Sequence, residues 1–148
     1  MIRPVGGADV KAIAALQVRA WRAAYGHFVD DEHMPTVADR VALWQDLLPG
    51  QAWLAERDGA LAGVVGIVAG EVRVLYVDPD HQGHGVGSAL LEQAEAQLRT
   101  VGHVRATLWA FRDNTLGREF YEHRGWRPDG AEQELWPGVH EMRYERVL

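Results

Sequence analysis

Val72-Arg73-Val74-Leu75-Tyr76-Val77-Asp78-Pro79-Asp80-His81-Gln82-Gly83-His84-Gly85-Val86-Gly87-Ser88-Ala89-Leu90-Leu91 reads as a strand, a glycine-rich turn and the opening of a helix. Residues 72–77 are β-prone without a break, as expected of a strand in the middle of a sheet. Asp78-Pro79 ends that strand, because proline has no N–H to give to a ladder. A helix is expected over residues 86–99, with Leu90, Leu91, Ala94 and Leu98 on its inner face. A helix N-terminus carries unpaired N–H groups and about half a positive charge, so it attracts anions. Glycines at 83, 85 and 87 remove the Cβ atoms that would hold a phosphate away. The stretch is therefore expected to hold phosphates on backbone amides.

Upstream, Asp9 can N-cap a helix over residues 10–25, with Val10, Ile13, Gln17, Ala20, Trp21 and Ala24 on one face and Gly26 as its stop. Thr36 and Asp39 have the spacing of a capping box for a second helix. Val37, Val41, Trp44 and Leu48 lie on one side of it, and Pro49-Gly50 ends it. Residues 27–35, between these helices, are polar and read as a loop. Strands are expected at 51–56 and 61–68 around the turn Arg57-Asp58-Gly59-Ala60, and Gly70-Glu71 turns the chain into residues 72–77. Downstream come a strand at 104–109, a short helix at 115–123 stopped at Gly125, and strands at 132–136 and 140–146. With a short strand at the N-terminus the order is β-α-α-β-β-β-α-β-α-β-β. That order is a mixed α/β (α+β) arrangement with a hairpin-rich first half, in a single domain over residues 1–148.

Composition narrows the function. The net charge is −6, and fourteen scattered arginines with the lone Lys11 form no basic stripe, so no nucleic-acid partner is expected. No apolar run approaches the ~20 residues of a membrane span, and the first residues lack a signal-peptide layout; a cytoplasmic protein is expected. The chain has no cysteine, which excludes a thiolate nucleophile and thiolate metal sites. His81 and His84 lack further ligands at a zinc-type spacing, so no metal is expected.

Three phosphate-binding patterns compete for the turn. A Walker loop needs lysine before its Ser/Thr, and Gly87 precedes Ser88. A dinucleotide fingerprint lacks its third glycine here, and Leu108-Trp109-Ala110 offers no acidic residue after the next strand. The pattern Gln/Arg-x-x-Gly-x-Gly/Ala is met in full by Gln82-Gly83-His84-Gly85-Val86-Gly87. At these residues the chain resembles the GNAT superfamily of acyl-CoA-dependent N-acyltransferases. Leu75-Tyr76-Val77-Asp78-Pro79 resembles the strand end that precedes the family's loop. Asn114 and Phe120-Tyr121-Glu122-His123-Arg124-Gly125-Trp126 resemble its later Asn…Phe-Tyr-Glu-x-x-Gly-Phe segment, and Ile2-Arg3-Pro4 through Asp9 its usual start.

The resemblance implies a mostly antiparallel central sheet of about six or seven strands flanked by about four helices. It implies acetyl-CoA as cosubstrate. Leu75, Tyr76 and Val77 would lie along the pantetheine arm, with the backbone of Leu75 and Val77 pairing to it as to an added strand. Gln82, Gly83, His84, Gly85, Val86 and Gly87 would bind the pyrophosphate, with Ser88 in the first helical turn. Asn114 would contact the cofactor or cap the helix at Thr115, and Tyr121 would be the acid for the departing thiolate or a core aromatic. A backbone N–H on a bulge around Leu75 to Val77 would stabilise the oxyanion. Glu71 is the candidate base, its alternative being a solvated turn residue; His27, His33 and His140 are further candidates.

Asp30-Asp31-Glu32 would attract an amine or simply be solvated, and Trp21, Tyr25, Trp109 and Trp136 would line an acceptor pocket or the core. The function implied is acetyl transfer from acetyl-CoA to a primary amine of a small molecule or peptide. Without cysteine, direct attack in a ternary complex is favoured over an acetyl-enzyme. The alternatives are an acyl-CoA-binding sensor on the same fold and a nicotinamide-dependent oxidoreductase. Relatives of this kind often pair through exposed terminal strands, so a homodimer is possible.

Overall fold

The computed structural model describes residues 1–27, 29–47 and 51–148. Leu48 and the Pro49-Gly50 stop expected after the second helix lie outside them. Among the described residues the chain runs β1 (Ile2–Pro4), α1 (Val10–Tyr25), α2 (Val37–Leu47), β2 (Ala52–Arg57), β3 (Ala60–Val68) and β4 (Glu71–Val77). It continues with α3 (Val86–Thr100), β5 (Arg105–Phe111), α4 (Thr115–Glu122), β6 (Arg127–Trp136) and β7 (Val139–Val147). The strands form one sheet in the order β1-β2-β3-β4-β5-β7-β6, antiparallel except where β4 meets β5. The expected element order and the mostly antiparallel sheet are thus observed.

The β2–β3 hairpin turns on Asp58 and Gly59, whose positive φ of 54° and 78° fit the right-handed twist of its strands. The next turn is Ala69-Gly70 rather than Gly70-Glu71, because Glu71 already pairs with Val68. The Thr36–Asp39 capping box forms in both directions, at 3.1 and 3.2 Å. Asp9 does not cap α1 with its side chain. Its carboxylate accepts the Gly6 N–H at 2.8 Å and both terminal nitrogens of Arg3 at 2.9 Å, closing the single 3-10 turn before the helix. Gly26 is the C-cap of α1 as expected, with helical angles (φ −60°) rather than left-handed ones. β6 begins at Arg127, well before the expected residue 132. Pro128 and Gly130 read as breakers, but an edge strand tolerates them, with an irregular step between Pro128 and Glu132.

Helices cover both faces. α1 and α2 bury Ile13, Leu16 and Trp44 against Leu54, Val64 and Val74, and Gln17 enters this core by accepting the Trp44 indole N–H at 2.7 Å. α3 buries Leu90, Leu91, Ala94 and Leu98 against the opposite face, where Trp126 and Tyr144 are fully buried. In β4, Val74 pairs with Gly66 and Val72 with Ile67, so Arg73 is an extra, bulged residue. The bulge lies here and not around Leu75 to Val77, where it was expected. β4 pairs with β5 at Glu71 and Thr107, and beyond that point the two strands have no pairing. A bulge bends its strand, and the opening that follows is where the site forms.

Candidate active site

Beside the unpaired end of β4 lies a cavity of about 680 Å³ bounded by α1, β4, the glycine turn, α3 and α4. Its β4 wall is Leu75, Tyr76 and Val77. The Asp78 N–H bonds to the Ala62 carbonyl across β3, and backbone groups alternate sides along a strand. The N–H and C=O of Leu75 and Val77 therefore point to the opposite, unpaired edge. Those of Tyr76 face β3, so Tyr76 meets the cavity through its side chain alone.

Contacts within the chain shape the turn. Asp78, almost fully buried, accepts the Asp80 N–H at 2.9 Å and pairs with Arg19 of α1 at 2.5 Å. Burial alone would raise its pKa, but the Arg19 guanidinium and the Asp80 N–H hold the carboxyl below the usual range. Gly83 and Gly85 both take φ of 79°, a left-handed conformation costly to any residue with a Cβ, and Gly85 is the N-cap of α3. Gln82, Gly83, Gly85, Val86, Gly87 and Ser88 line the cavity. His84 does not. Its Nδ1 lies 3.2 Å from Arg57, which also approaches His81 Nδ1 at 3.4 Å.

α4 supplies the facing wall. Asn114 caps the helix, its Oδ1 accepting the Gly117 N–H at 3.1 Å, and its Nδ2 donates to the Tyr25 hydroxyl at 3.4 Å. The same side chain lines the cavity, so its two expected positions coincide. Tyr121 also lines the cavity, its ring packed against Phe120 and Trp126. Burial, and then the neighbouring Tyr76, push its phenol well above the ordinary value. Arg124, to which sequence reasoning gave no part, reaches back to Ser88 and lines the cavity too. Its position in the Phe-Tyr-Glu-x-x-Gly segment was visible, but its partner was not.

Glu71 is not in this cavity. It lines a second cleft of about 400 Å³ with Tyr25, Arg73, Tyr76, Trp109, Phe111, Gln133 and Glu141. Arg73 engages both of its carboxylate oxygens at 3.2 Å. Tyr25 and Tyr76 belong to both spaces and stand between them. Of the expected base candidates, His27 lines the first cavity, His33 stacks on Trp136 with ring centroids 4.3 Å apart, and His140 pairs with Glu134 at 3.2 Å. Trp109 borders the second cleft, while Trp21 is buried against Tyr25 and Phe111. Asp30, Glu32 and His33 each bring one donor atom within 4.8 Å of the others in the α1–α2 loop. Among the described residues no helix is long and apolar enough to cross a membrane.

The chain is similar to known acetyltransferases in sequence and in fold. The mycothiol acetyltransferase of Beutenbergia cavernae is 36% identical over 138 residues, a match covering 86% of this chain and 45% of that protein. The chain therefore spans less than half the length of that relative. A GCN5-related N-acetyltransferase structure from Rhodopseudomonas palustris superposes with a TM-score of 0.83 at 21% identity, over 100% of this chain and 95% of the other. The PaiA N-acetyltransferase of Thermoplasma acidophilum, solved in complex with coenzyme A, superposes at 0.77 and 21% identity over 100% and 98% of the two chains. The sequence model described as "Acetyltransferase (GNAT) family" matches residues 12–126, most of the chain. This chain belongs to the acetyltransferase (GNAT) family.

Proposed function

We propose that the protein transfers an acetyl group from acetyl-CoA to a primary amine of a small molecule or peptide, by direct attack in a ternary complex. One observation carries this reading: the bare β4 edge at Leu75 and Val77 opens into the same cavity as the left-handed glycine turn that starts α3. An extended amide-bearing arm fits such an edge as an added strand, and a pyrophosphate fits the amides of residues 82–87 at a helix N-terminus. The cavity thus suits the two chemically distinct halves of CoA in the order in which they are joined.

In this reading Tyr121 faces the sulfur end. A phenol whose ionisation is suppressed stays a hydrogen-bond donor throughout the neutral range and stabilises the departing thiolate. The N–H of Leu75 or Val77 is placed to receive the carbonyl oxygen as it becomes an oxyanion. The acceptor enters by the second cleft, where Glu71 was the expected base. Tyr25 and Tyr76 then form the passage through which amine and thioester meet. The name of the Beutenbergia protein ties that relative to mycothiol; here the acceptor class is set by the cleft, which offers carboxylates and aromatic faces to a cation.

The competing reading is an acyl-CoA-binding sensor of the same fold. Calorimetry with acetyl-CoA, followed by thiol release against spermidine, lysine amide and benzylamine, separates the two. Amine-dependent thiol release supports transfer, and binding without release against every amine supports the sensor.

A further inference from the structure

The second cleft contains two carboxylates, and they are held differently. Glu71 is clasped by Arg73 through both oxygens. Glu141 sits on β7 between Phe111 of β5 and Gln133 of β6, half-buried. Its Oε1 accepts the Gln133 amide at 2.8 Å, and its Oε2 has no hydrogen-bond partner among the described residues. The walls around it are Tyr25, Tyr76, Trp109 and Phe111. The Glu141 charge acts on the phenols of both Tyr25 and Tyr76, the two side chains shared with the cofactor cavity. Tyr25 in turn accepts from Asn114 and feels Tyr121.

We propose that Glu141, and not Glu71, takes the proton from the acceptor ammonium. This rests on the acetyl-transfer reading above and adds to it a residue outside the family-like motifs of the sequence. A base works best from an oxygen with no competing donor: Glu141 Oε2 carries none among the described residues, whereas each Glu71 oxygen already engages the Arg73 guanidinium. Burial pushes the Glu141 carboxyl above its ordinary value; the Gln133 amide opposes this and the Glu71 charge adds to it. The other groups facing it are Arg73 and Tyr76 from β4 and Tyr25 from α1. Through its charge Glu71 helps to hold the Glu141 carboxyl up, which makes Glu71 a positioning residue.

The step balances. One ammonium proton passes to Glu141 Oε2, and the freed nitrogen lone pair forms the C–N bond at the thioester carbonyl carbon, whose π electrons move to oxygen. When the C=O reforms, the C–S bond breaks and its electron pair leaves on sulfur. Tyr121 gives sulfur its proton and recovers one from the nitrogen, which becomes the neutral amide. One proton remains on Glu141 and is lost to solvent.

Two measurements test this. The first follows the Glu141 side-chain carboxyl carbon by NMR titration in the CoA-loaded protein, with Glu141→Gln assigning the signal. The second compares pH profiles of kcat/KM for the parent, Glu141→Gln and Glu71→Gln with acetyl-CoA and the amines named above. We expect Glu141 to titrate above ordinary glutamate. Glu141→Gln should lose about 100-fold or more in kcat/KM near neutrality, together with the acidic limb, while acetyl-CoA affinity stays unchanged. Glu71→Gln should lose about tenfold or less and move that limb to lower pH, since a like charge is gone. An ordinary titration value, or a Glu141→Gln enzyme with near-parental turnover and an intact acidic limb, overturns the assignment while leaving acetyl transfer standing. A parent that binds acetyl-CoA yet releases no thiol with any amine overturns the transfer reading, and this role with it.

Discussion

Arg124 and Ser88 are joined across the mouth of the cavity: the arginine Nε donates to the serine hydroxyl at 2.6 Å. The same guanidinium donates to the Phe120 carbonyl at 3.0 Å and lies 3.8 Å over the Phe120 ring. One side chain thus ties the first turn of α3 to α4 and places a positive charge beside the expected pyrophosphate. Arg124→Ala should raise the acetyl-CoA Kd by about tenfold, or ~1.4 kcal/mol. Arg124→Lys, which keeps the charge without the planar fork, should fall between the two. Calorimetry at fixed ionic strength reads both.

Gly85→Ala tests the turn itself. A Cβ at φ of 79° costs about 1 kcal/mol, yet it meets nothing within 4 Å in the folded protein. Stability should therefore drop by only a few degrees in Tm, while the methyl group intrudes where a phosphate would sit. We expect cofactor affinity to fall by about tenfold or more, far more than the stability change explains. Equal Kd values for the two proteins would remove the phosphates from this turn.

Tyr121→Phe removes the proposed donor to sulfur and little else, since the ring contacts persist. kcat should fall by about 100-fold with acetyl-CoA affinity unchanged. Because burial raises the phenol pKa, the donor remains protonated beyond the pH at which a free tyrosine ionises. The parent profile should therefore show no alkaline decline attributable to Tyr121 below about pH 10.

Asp78 makes stability depend on pH. Its folded-state pKa is lowered, so its contribution is complete above the ordinary aspartate value of about 3.9 and is lost as pH falls through the folded value. Urea unfolding from pH 7 to pH 3 should show this loss in the parent. Asp78→Asn keeps an acceptor for Asp80 but not the Arg19 pair. It should be less stable at pH 7 and approach the parent at low pH.

Runs of β-prone residues and turn chemistry made the order of strands readable from the sequence, but not the start of β6 or the turn before β4. Asp58-Gly59 turned as its residue types require, and Thr36 with Asp39 closed the box that their spacing announced. Local patterns failed where a distant partner decided the outcome. Asp9 has the chemistry of a cap, but Arg3 claims its carboxylate from the preceding strand. The bulge at Arg73 arises from register against β3, and nothing in residues 71–77 displays it. The cavity-lining set at 75–77 and 82–88 was legible because it is contiguous in the chain, His84 excepted. Glu141 was not, because it reaches the cleft by pairing of β7 with β5 and β6, some seventy residues from Glu71 in the chain.

The solitary β4–β5 pairing has a mechanical meaning. The sheet is two plates, β1 to β4 and β5 to β6, stitched at one point by Glu71 and Thr107. An extended ligand laid along Leu75 and Val77 would act as a missing rung in that seam, fastening the two plates as well as occupying a pocket. The protein should therefore stiffen at its middle when loaded. The amides of Leu75 and Val77, exchanging with solvent faster than that of Tyr76 in the free protein, should become slow once CoA is bound.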